Sequence, residues 1–567
     1  MSSSTNKREI IPETVKIVDE FTPLLNNNET SNLPIINNPW YKTPSAYWLL
    51  PLFSVNAISF GLTVTTKVEF YIQAVCKNYY ESKENLSSIN IDIINDVDIC
   101  NIPEIHAITS QLMMILSLCL AIPGIFVLVP LGAFSDRKGR RLALLIAGSG
   151  KILDVITIIL VGNFMESLGL WFLIIGQLMV GFCGGLSALS AVMYAYGTDC
   201  TVPEQRRVIF GLIQGSLFLG IAIGPIIGGK IVEYTNDILS TFYVSLIISI
   251  LNLLFILFIL PESLSKERQL ENQKRQLDNV QKNGGSTIFK KIFNIFTPLS
   301  IFLSDFSQNN ERFQTTENKD RIPAINATRY SLLSATGISL MFAIVLSGLQ
   351  SIFLLYIRYK FDWSLVDQGY MFGAMSFTRV ITLMLLFPIF VKIFKERYNN
   401  VNSQNLKKQE DIDGNVVVEN DMRVQDEKRM NRELLFDIWV VRFGLVIDMI
   451  TYALYAIATN GTLFIAGVCL GAVGTVSVST LKSIQTNLVP PSQTGQLLGA
   501  LSVLDSITNV VAPIIYNTLY SILVMKNMPH LIWYGISGMF AIGYLLSFGI
   551  RPKISKNKTV ETGNVEF

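Results

Sequence analysis

Charged residues are scarce in this sequence. Asp, Glu, Lys and Arg together make up 16% of the 567 residues, whereas hydrophobic residues make up 50%. The mean hydropathy of +0.42 lies outside the range of ordinary soluble globular domains and argues against that class. The formal net charge is only +2, and the short basic runs fit topology determinants better than a nucleic-acid surface.

Residues and motifs that supply chemistry are also scarce. His106 and His530 are the only histidines, and no HExxH, GxSxG or Walker A motif is present. The six cysteines include no CxxC pair and no accompanying histidine that suggests a metal site. We therefore expect no enzymatic activity, no cofactor and no metal.

Long apolar runs, in contrast, are abundant. Windows of about 19 residues find runs near 47–72, 107–131, 142–163, 168–196, 207–231, 239–260, 332–357, 368–394, 435–459, 463–487, 497–523 and 530–550. A bilayer core requires each segment to satisfy its own backbone hydrogen bonds, so runs of this length must be helices. The sequence predicts an all-α polytopic membrane protein with twelve transmembrane helices.

Lys and Arg are concentrated in alternate loops and in both tails, which by the positive-inside rule makes both termini cytoplasmic. The first 46 residues are polar, so no cleavable signal peptide is visible. The predicted organisation is a disordered tail at 1–46, a six-helix bundle at 47–260, a cytoplasmic linker at 261–331, a second bundle at 332–550 with a cytoplasmic insertion at 396–434, and a cytoplasmic tail at 551–567.

Three shorter features lie outside the predicted spans. The stretch "IFKKIFNIFTPL", Ile288 to Leu299, predicts an interfacial helix within the linker, and the charge-alternating insertion predicts a solvated, poorly ordered segment. "EFTPLL", Glu20 to Leu25, resembles an acidic dileucine signal for the vacuole or lysosome, although a chance match in a polar tail explains it equally well. The external loop holds a glycosylation sequon at Asn85 between Cys76 and Cys100, which either pair as a disulfide or stay free.

The chain contains an internal repeat. "GKILDVIT", Gly150 to Thr157, recurs as "GLVIDMIT", Gly444 to Thr451, and "GPII" at 224–227 recurs as "APII" at 512–515. Predicted spans 3 and 5 therefore correspond to spans 9 and 11. Two six-helix halves related by a parallel repeat are the architecture of a transporter whose halves rock around a central site.

The segment "GAFSDRKGRR", 132 to 141, connects predicted spans 2 and 3. It resembles the signature G-x-x-x-D-R-x-G-R-R/K of the Major Facilitator Superfamily, a family of secondary transporters. Physically, Gly132 allows close helix approach, Gly139 permits a tight turn, and Asp136 suits a neighbouring helix N-terminus. The resemblance implies a cytoplasmic gate that holds the outward-facing state. Its arginines are Arg137, Arg140 and Arg141.

A second segment supports this gate. "YGTDCTVPEQRR", 196 to 207, resembles the family's D-x-x-x-P-E-x-R pattern, so Asp199 and Glu204 are the expected partners of the gate arginines, with Arg206 or Arg207 as the basic position. The corresponding segment of the second half, "NLVPPSQTGQ", lacks these charges. The gate is therefore expected in the first half only.

Predicted span 5 is rich in small residues and resembles the G-P-x-x-G-G motif of drug:proton antiporters. Close helix packing at these positions is the physical expectation. The motif residues are Gly220, Gly224, Pro225, Gly228 and Gly229. The external "CKNYY" and "FDWSLVDQGY" segments resemble the branch that contains tetracycline-efflux and proton-coupled folate transporters, and the Asn and Ile bias is typical of a fungal protein.

Ionisable residues inside predicted spans are costly and indicate function by default. Those that we consider candidates for proton coupling or the substrate cavity are Asp154, Asp448, Lys151, Arg379 and Asp505. In one interpretation an aspartate in the cavity binds and releases a proton as access changes. In the other, Lys151 with Asp154 and Arg379 with Asp448 are fixed ion pairs between or along helices.

The sequence therefore predicts a secondary active transporter of a small organic solute. We expect proton coupling, as antiporter or symporter, a monomer in a lipid bilayer, and no nucleic-acid partner. The alternative is a membrane sensor or scaffold that keeps the fold without transporting.

Overall fold

The computed structural model describes residues 43–84, 99–201, 206–282, 299–300, 302, 322–382, 386, 389, 418–489 and 494–551. Pro44–Phe567 form one compact unit. This unit holds all the helices described below.

The described part of the chain is helical and contains no strand. In chain order its main helices are α1 (Leu49–Glu84), α2 (Pro103–Lys138), α3 (Arg140–Asn163), α4 (Phe172–Phe182), α5 (Gly185–Asp199), α6 (Arg206–Thr235), α7 (Leu239–Phe258), α8 (Lys266–Lys282), α9 (Ile322–Phe361), α10 (Leu365–Ile381), α11 (Val418–Ile457), α12 (Gly461–Gly474), α13 (Val476–Leu488), α14 (Thr494–Met525) and α15 (Leu531–Leu546). We call α1–α7 the first half and α9–α15 the second half.

The all-α polytopic fold is confirmed. Ten helical segments of the described residues are long and apolar enough to cross a membrane. Helices α10 and α11 occupy the positions of predicted spans 8 and 9. Predicted spans 4 and 10 are each broken once, at Gly184, where φ is +85°, and at Thr475. The fourth span of each half is therefore interrupted at a similar depth, as the internal repeat leads one to expect.

Two helices begin outside their predicted apolar runs. Helix α9 begins at Ile322, inside the segment assigned to the linker, and α11 begins at Val418, inside the insertion that we expected to be poorly ordered. Both helices extend beyond their apolar runs, because polar residues continue a helix once it leaves the hydrocarbon. The linker also contains α8, while residues 288–298 of the predicted interfacial helix lie outside the described residues.

Helix α6 packs against α1 with backbone almost touching backbone. A Cβ atom on Gly61 of α1 would lie 2.8 Å from the carbonyl oxygen of Gly220, and one on Gly228 would lie 2.5 Å from that of Leu62. Gly224 faces Gly61 in the same way. The small residues of this motif are therefore needed for close packing, as glycine-rich helix contacts in membranes generally require.

The two halves meet along α6 and α10, and along α2 and α14. On the α10 side, a Cβ atom on Gly229 would lie 2.9 Å from the Leu365 carbonyl oxygen, and one on Gly369 would lie 2.7 Å from that of Pro225. On the other side Ser110 Oγ donates to the Asn517 carbonyl at 2.9 Å. These contacts lie toward the end that carries Cys76 and Cys100, which we call the disulfide end. The opposite end, with Gly139 and Asp199, is the signature end.

Candidate functional site

A cavity of about 270 Å³ lies among the first-half helices and α9 of the second half. Its walls are mostly apolar, with Phe60, Leu116 and Leu354 among the side chains. The polar side chains that line it are Asn56, Thr63, Lys67, Tyr71, Ser117, Lys151, Asp154, Gln177, Ser347 and Gln350. An apolar enclosure with a few converging polar groups is the usual form of a small-molecule site.

Asp154 is the most highly connected of these groups. Lys67 Nζ of α1 donates to its Oδ1 at 3.0 Å and its Oδ2 at 2.9 Å. Gln177 Nε2 of α4 donates to Oδ1 at 2.6 Å. The Asp154 side chain is only 8% exposed and that of Lys67 is 23% exposed. This carboxylate therefore joins three helices at the cavity wall.

The interpretation in which Lys151 and Asp154 form a fixed ion pair is wrong. Lys151 Nζ donates instead to Thr63 Oγ1 at 2.9 Å, and Lys67 is the ion-pair partner of Asp154. Lys67 lies toward the end of the first apolar run, 47–72, and was not among the predicted cavity residues. The helix itself continues to Glu84, so Lys67 lies near its middle and reaches Asp154.

The repeated aspartate of the second half has different surroundings. Asp448 is 7% exposed. Its carboxylate packs so closely on α12 that a Cβ atom on Gly474 would collide with it. Among the described residues it forms no ion pair, and it does not line the cavity. The predicted Arg379–Asp448 ion pair is therefore absent from the described part of the chain.

Aromatic side chains fill the second half beside Asp448. Ring centroids are 4.6 Å apart for Tyr455 and Phe464, 5.1 Å for Tyr356 and Trp533, and 5.2 Å for Tyr452 and Phe540. Aromatic packing of this kind fills the space among these side chains. The aromatic residues that follow Asp448 in the sequence, Tyr452 and Tyr455, are the signal that could have predicted a filled site.

The other two candidate residues also lie away from the cavity. Arg379 is on α10, and its Nε is buried without a hydrogen-bond partner among the described residues. Asp505 is exposed on α14. Neither lines the cavity. Of the five predicted cavity residues, the structure brings only Asp154 and Lys151 together there, and it adds Lys67 and Gln177.

The signature end is organised around Arg140. Its Nε donates to Asp199 Oδ2 at 2.9 Å, and its Nη1 donates to Asp136 Oδ1 at 2.5 Å and to Ser135 Oγ at 3.1 Å. The expected link between the gate arginines and Asp199 is thus present in the geometry. Gly139 has φ of +104°, a conformation that favours glycine, so it provides the expected turn between α2 and α3.

Glu262, which the sequence argument did not single out, holds this turn from the end of α7. Its carboxylate accepts from Arg140 N at 2.7 Å and Arg141 N at 3.1 Å, so it caps the N-terminus of α3. The helix-terminus role expected of Asp136 therefore belongs to Glu262. A signal was available in the sequence, since "LPES" follows the sixth apolar run.

Other gate residues differ from expectation. A Cβ atom on Gly132 would meet no atom within 4 Å, so close helix approach is not present there, and Gly132 lines a small cleft with Ser135 and Arg140. Arg137 Nε donates to the Ala133 carbonyl of its own helix, and Arg141 Nε donates to the Ile256 carbonyl. Glu204 lies outside the described residues, as do the side chains of Arg206 and Arg207 at the start of α6.

The linker helix α8 rests on the same end. Asn272 Nδ2 donates to the Asp136 carbonyl at 3.0 Å, and Gln273 Nε2 donates to the Arg137 carbonyl at 2.9 Å. These amides satisfy carbonyls at the C-terminus of α2 that have no partner within the helix.

The disulfide end carries a covalent and an ionic link. Cys76 and Cys100 form a disulfide with Cα atoms 5.6 Å apart, and Asn85 lies outside the described residues. Arg358 Nε of α9 donates to Glu69 Oε2 of α1 at 3.1 Å, which joins the two halves, and Asp362 also pairs with Arg358. Sequence reasoning did not single out Arg358, which lies one residue beyond the seventh apolar run.

Two helical halves with a charged, buried cavity between them define a membrane transporter rather than an enzyme. Residues 44–401 match the sequence profile of the Major Facilitator Superfamily, and the chain belongs to this family. It is a multi-pass integral membrane protein, and the family resemblance of its motifs is confirmed.

Individual relatives agree with this assignment. The chain is 24% identical over 530 residues to an uncharacterized membrane protein of Schizosaccharomyces pombe, covering 89% of this chain and 78% of that protein. It is 21% identical over 439 residues to the proton-coupled folate transporter of Bos taurus, covering 76% and 78%. The crystal structure of a D-xylose-proton symporter superposes with a TM-score of 0.54 at 11% identity, covering 90% of this chain and 98% of that one, which supports the fold alone.

Proposed function

We propose that this protein is a proton-coupled secondary transporter of a small organic solute, and that Asp154 is the proton-carrying group. The observation that supports this most directly is the buried cluster of Asp154, Lys67 and Gln177 at the cavity wall. A proton on Asp154 would remove its charge and release Lys67, so that the protonation of one group controls the availability of the other.

Coupling requires that the cavity open to one side at a time. The disulfide end is joined by the Glu69–Arg358 ion pair and by the Ser110–Asn517 hydrogen bond, which supports an arrangement closed at that end. We propose that the halves rock so that these links break while the signature end closes. In that second state the uncovered face at Gly132 would receive a helix of the second half.

The same proposal includes an orientation and a membrane. We assign the signature end and both termini to the cytoplasm, because basic residues are concentrated there. The disulfide then lies on the oxidising side, where Asn85 is available for glycosylation. The dileucine-like segment at 20–25 favours a vacuolar-type membrane, and we propose a monomer as the transporting unit.

The experiment is solute flux in sealed vesicles that contain the purified full-length protein, with and without an imposed pH gradient. A panel of metabolites and drugs is offered, and a pH indicator inside the vesicles follows the protons. We expect gradient-driven flux for the wild type and flux at the level of empty vesicles for Asp154→Asn. The matched control is Glu233→Gln, which removes an exposed carboxylate outside the cavity.

Each outcome bears on a different part of the proposal. Flux that ignores the gradient and survives Asp154→Asn would leave facilitated diffusion and a structural Asp154. No flux across the whole panel would instead support a sensor or scaffold.

A further inference from the structure

The cavity carries an excess of positive charge. Lys67 and Lys151 are its cationic side chains and Asp154 is its carboxylate; no other Asp, Glu, Lys, Arg or His is among the described residues that line it. With Asp154 ionised and both lysines protonated, the cavity therefore carries one positive charge in excess. A partly buried charge without a counter-charge is costly, so such a site favours a counter-ion.

The excess charge can be assigned to Lys151. Lys67 is neutralised by Asp154, which it contacts through both carboxylate oxygens. Lys151 instead donates to a neutral acceptor, the Thr63 hydroxyl, at 2.9 Å and lies 6.0 Å from the centroid of the neutral Phe60 ring. An ammonium group has three donors, so Lys151 can keep this hydrogen bond and still donate to a ligand.

The remaining walls define the rest of the ligand. Phe60, Leu120, Leu186 and Leu354 are apolar, and the second half contributes the neutral side chains of Ser347 and Gln350. The volume of about 270 Å³ is slightly below the range of roughly 300–1,000 Å³ that is typical of sites for drug-sized molecules. A ligand that fits has one anionic group and a small, largely apolar body.

We propose that the cavity binds a small organic monoanion, with its carboxylate on Lys151 and its apolar body against the leucine and phenylalanine walls. This inference rests on the proposed function in that the transported solute occupies this cavity. It excludes a cationic substrate, because two ammonium groups and a neutralised carboxylate would repel one.

The test is binding to the purified full-length protein in detergent, measured by calorimetry, with matched probes. Benzoate and 4-methylpentanoate represent the monoanion, and their amides and the corresponding primary amines represent neutral and cationic bodies of similar shape. We expect the carboxylates to bind at least about tenfold more tightly than the amides, since hydrogen bonds to a charged partner are stronger than neutral ones. The amines should bind most weakly.

Two variants locate the anion. Lys151→Met should reduce carboxylate affinity by about tenfold or more and leave the amides unchanged, while Lys151→Arg should keep the preference for the anion. Lys230→Met, which removes an exposed lysine outside the cavity, is the control. If Lys151→Met does not fold, the ranking of the wild-type affinities for carboxylates, amides and amines still tests the anion assignment.

The outcomes separate this inference from proton coupling. Amides or amines that bind as tightly as the carboxylates, or carboxylates that do not bind at all, would overturn the anion assignment, while gradient-driven flux of another solute would leave the coupling intact. Carboxylate binding without gradient-driven flux would support the anion assignment and contradict proton coupling.

Discussion

The two halves of this protein contain the same octet and use it differently. In the first half Asp154 accepts hydrogen bonds from Lys67 and Gln177 and lines a cavity. In the second half Asp448 packs on Gly474 beside a cluster of aromatic rings and is not among the residues that line this cavity. One copy faces space for a solute, and the other is embedded in a packed interior.

The backbone framework around the two aspartates is nevertheless the same. Gly150 approaches Val180 and Cys183 of the next span, and its counterpart Gly444 approaches Gly474 and Ser477. The threonine that ends each octet also packs on a glycine: Thr157 on Gly176 and Thr451 on Gly471. Duplication has therefore kept the helix crossing, and only the side chains around it decide whether the aspartate serves a site.

The largest difference between the halves is expected in transport. In the vesicle assay Asp154→Asn should abolish gradient-driven flux, whereas Asp448→Asn should keep most of it, since Asp448 is remote from the cavity lining. The two changes are matched, because each converts a buried aspartate of the same octet to its amide. Loss of flux in Asp448→Asn alone would reverse our assignment of roles.

A second difference concerns stability. Lys67→Met leaves the Asp154 carboxylate buried without its counter-ion, which should lower the free energy of unfolding by about 3–5 kcal/mol. Arg379→Met should cost much less, because no ion pair of Arg379 is present among the described residues. Thermal unfolding of the detergent-solubilised protein measures both.

A double variant sharpens that comparison. Lys67→Met combined with Asp154→Leu removes both charges and should recover most of the lost stability, as the replacement of buried ion pairs by apolar residues often does. Equal losses for Lys67→Met and Arg379→Met, or no recovery in the double variant, would contradict the ion-pair assignment.

The smallest difference is in packing. Gly474→Val introduces at the second-half crossing the residue that the first half has at Val180. Its side chain would collide with Asp448, so we expect a loss of about 1–3 kcal/mol, typical of overpacking. Gly535→Val is the control, because a Cβ atom there meets nothing within 4 Å. Equal melting temperatures for the two variants would mean that Asp448 moves aside freely.

The helical fold could be predicted because hydropathy in a membrane protein reports directly on helix position. The Asp154 pairing could not be predicted in this way. The first apolar run, 47–72, places Lys67 near its end, whereas the helix continues to Glu84 on polar residues and places Lys67 near its middle. Pairing also depends on which helices are neighbours, and α1 contacts α3 through side chains far apart in sequence.

The candidate site could be predicted only in part from the sequence, for a related reason. Asp154 and Lys151 were found because charges within apolar runs are conspicuous, but the same rule gave Asp448, Arg379 and Asp505 equal weight. Asp154 and Asp448 differ in whether the surrounding volume is a cavity or is filled by rings such as Tyr455 and Phe464. That information lies in packing across helices, which a single sequence does not contain.

The glycine contacts between α6 and α10 have a mechanical consequence. At Gly229 and Gly369 the nearest atoms of the other half are main-chain atoms. In the rocking motion proposed above, main-chain contacts of this kind would let one helix turn on the other at these two positions without a change of side-chain rotamer. The resistance to opening would then come from the few discrete links at the disulfide end, such as Glu69 with Arg358, which break one at a time.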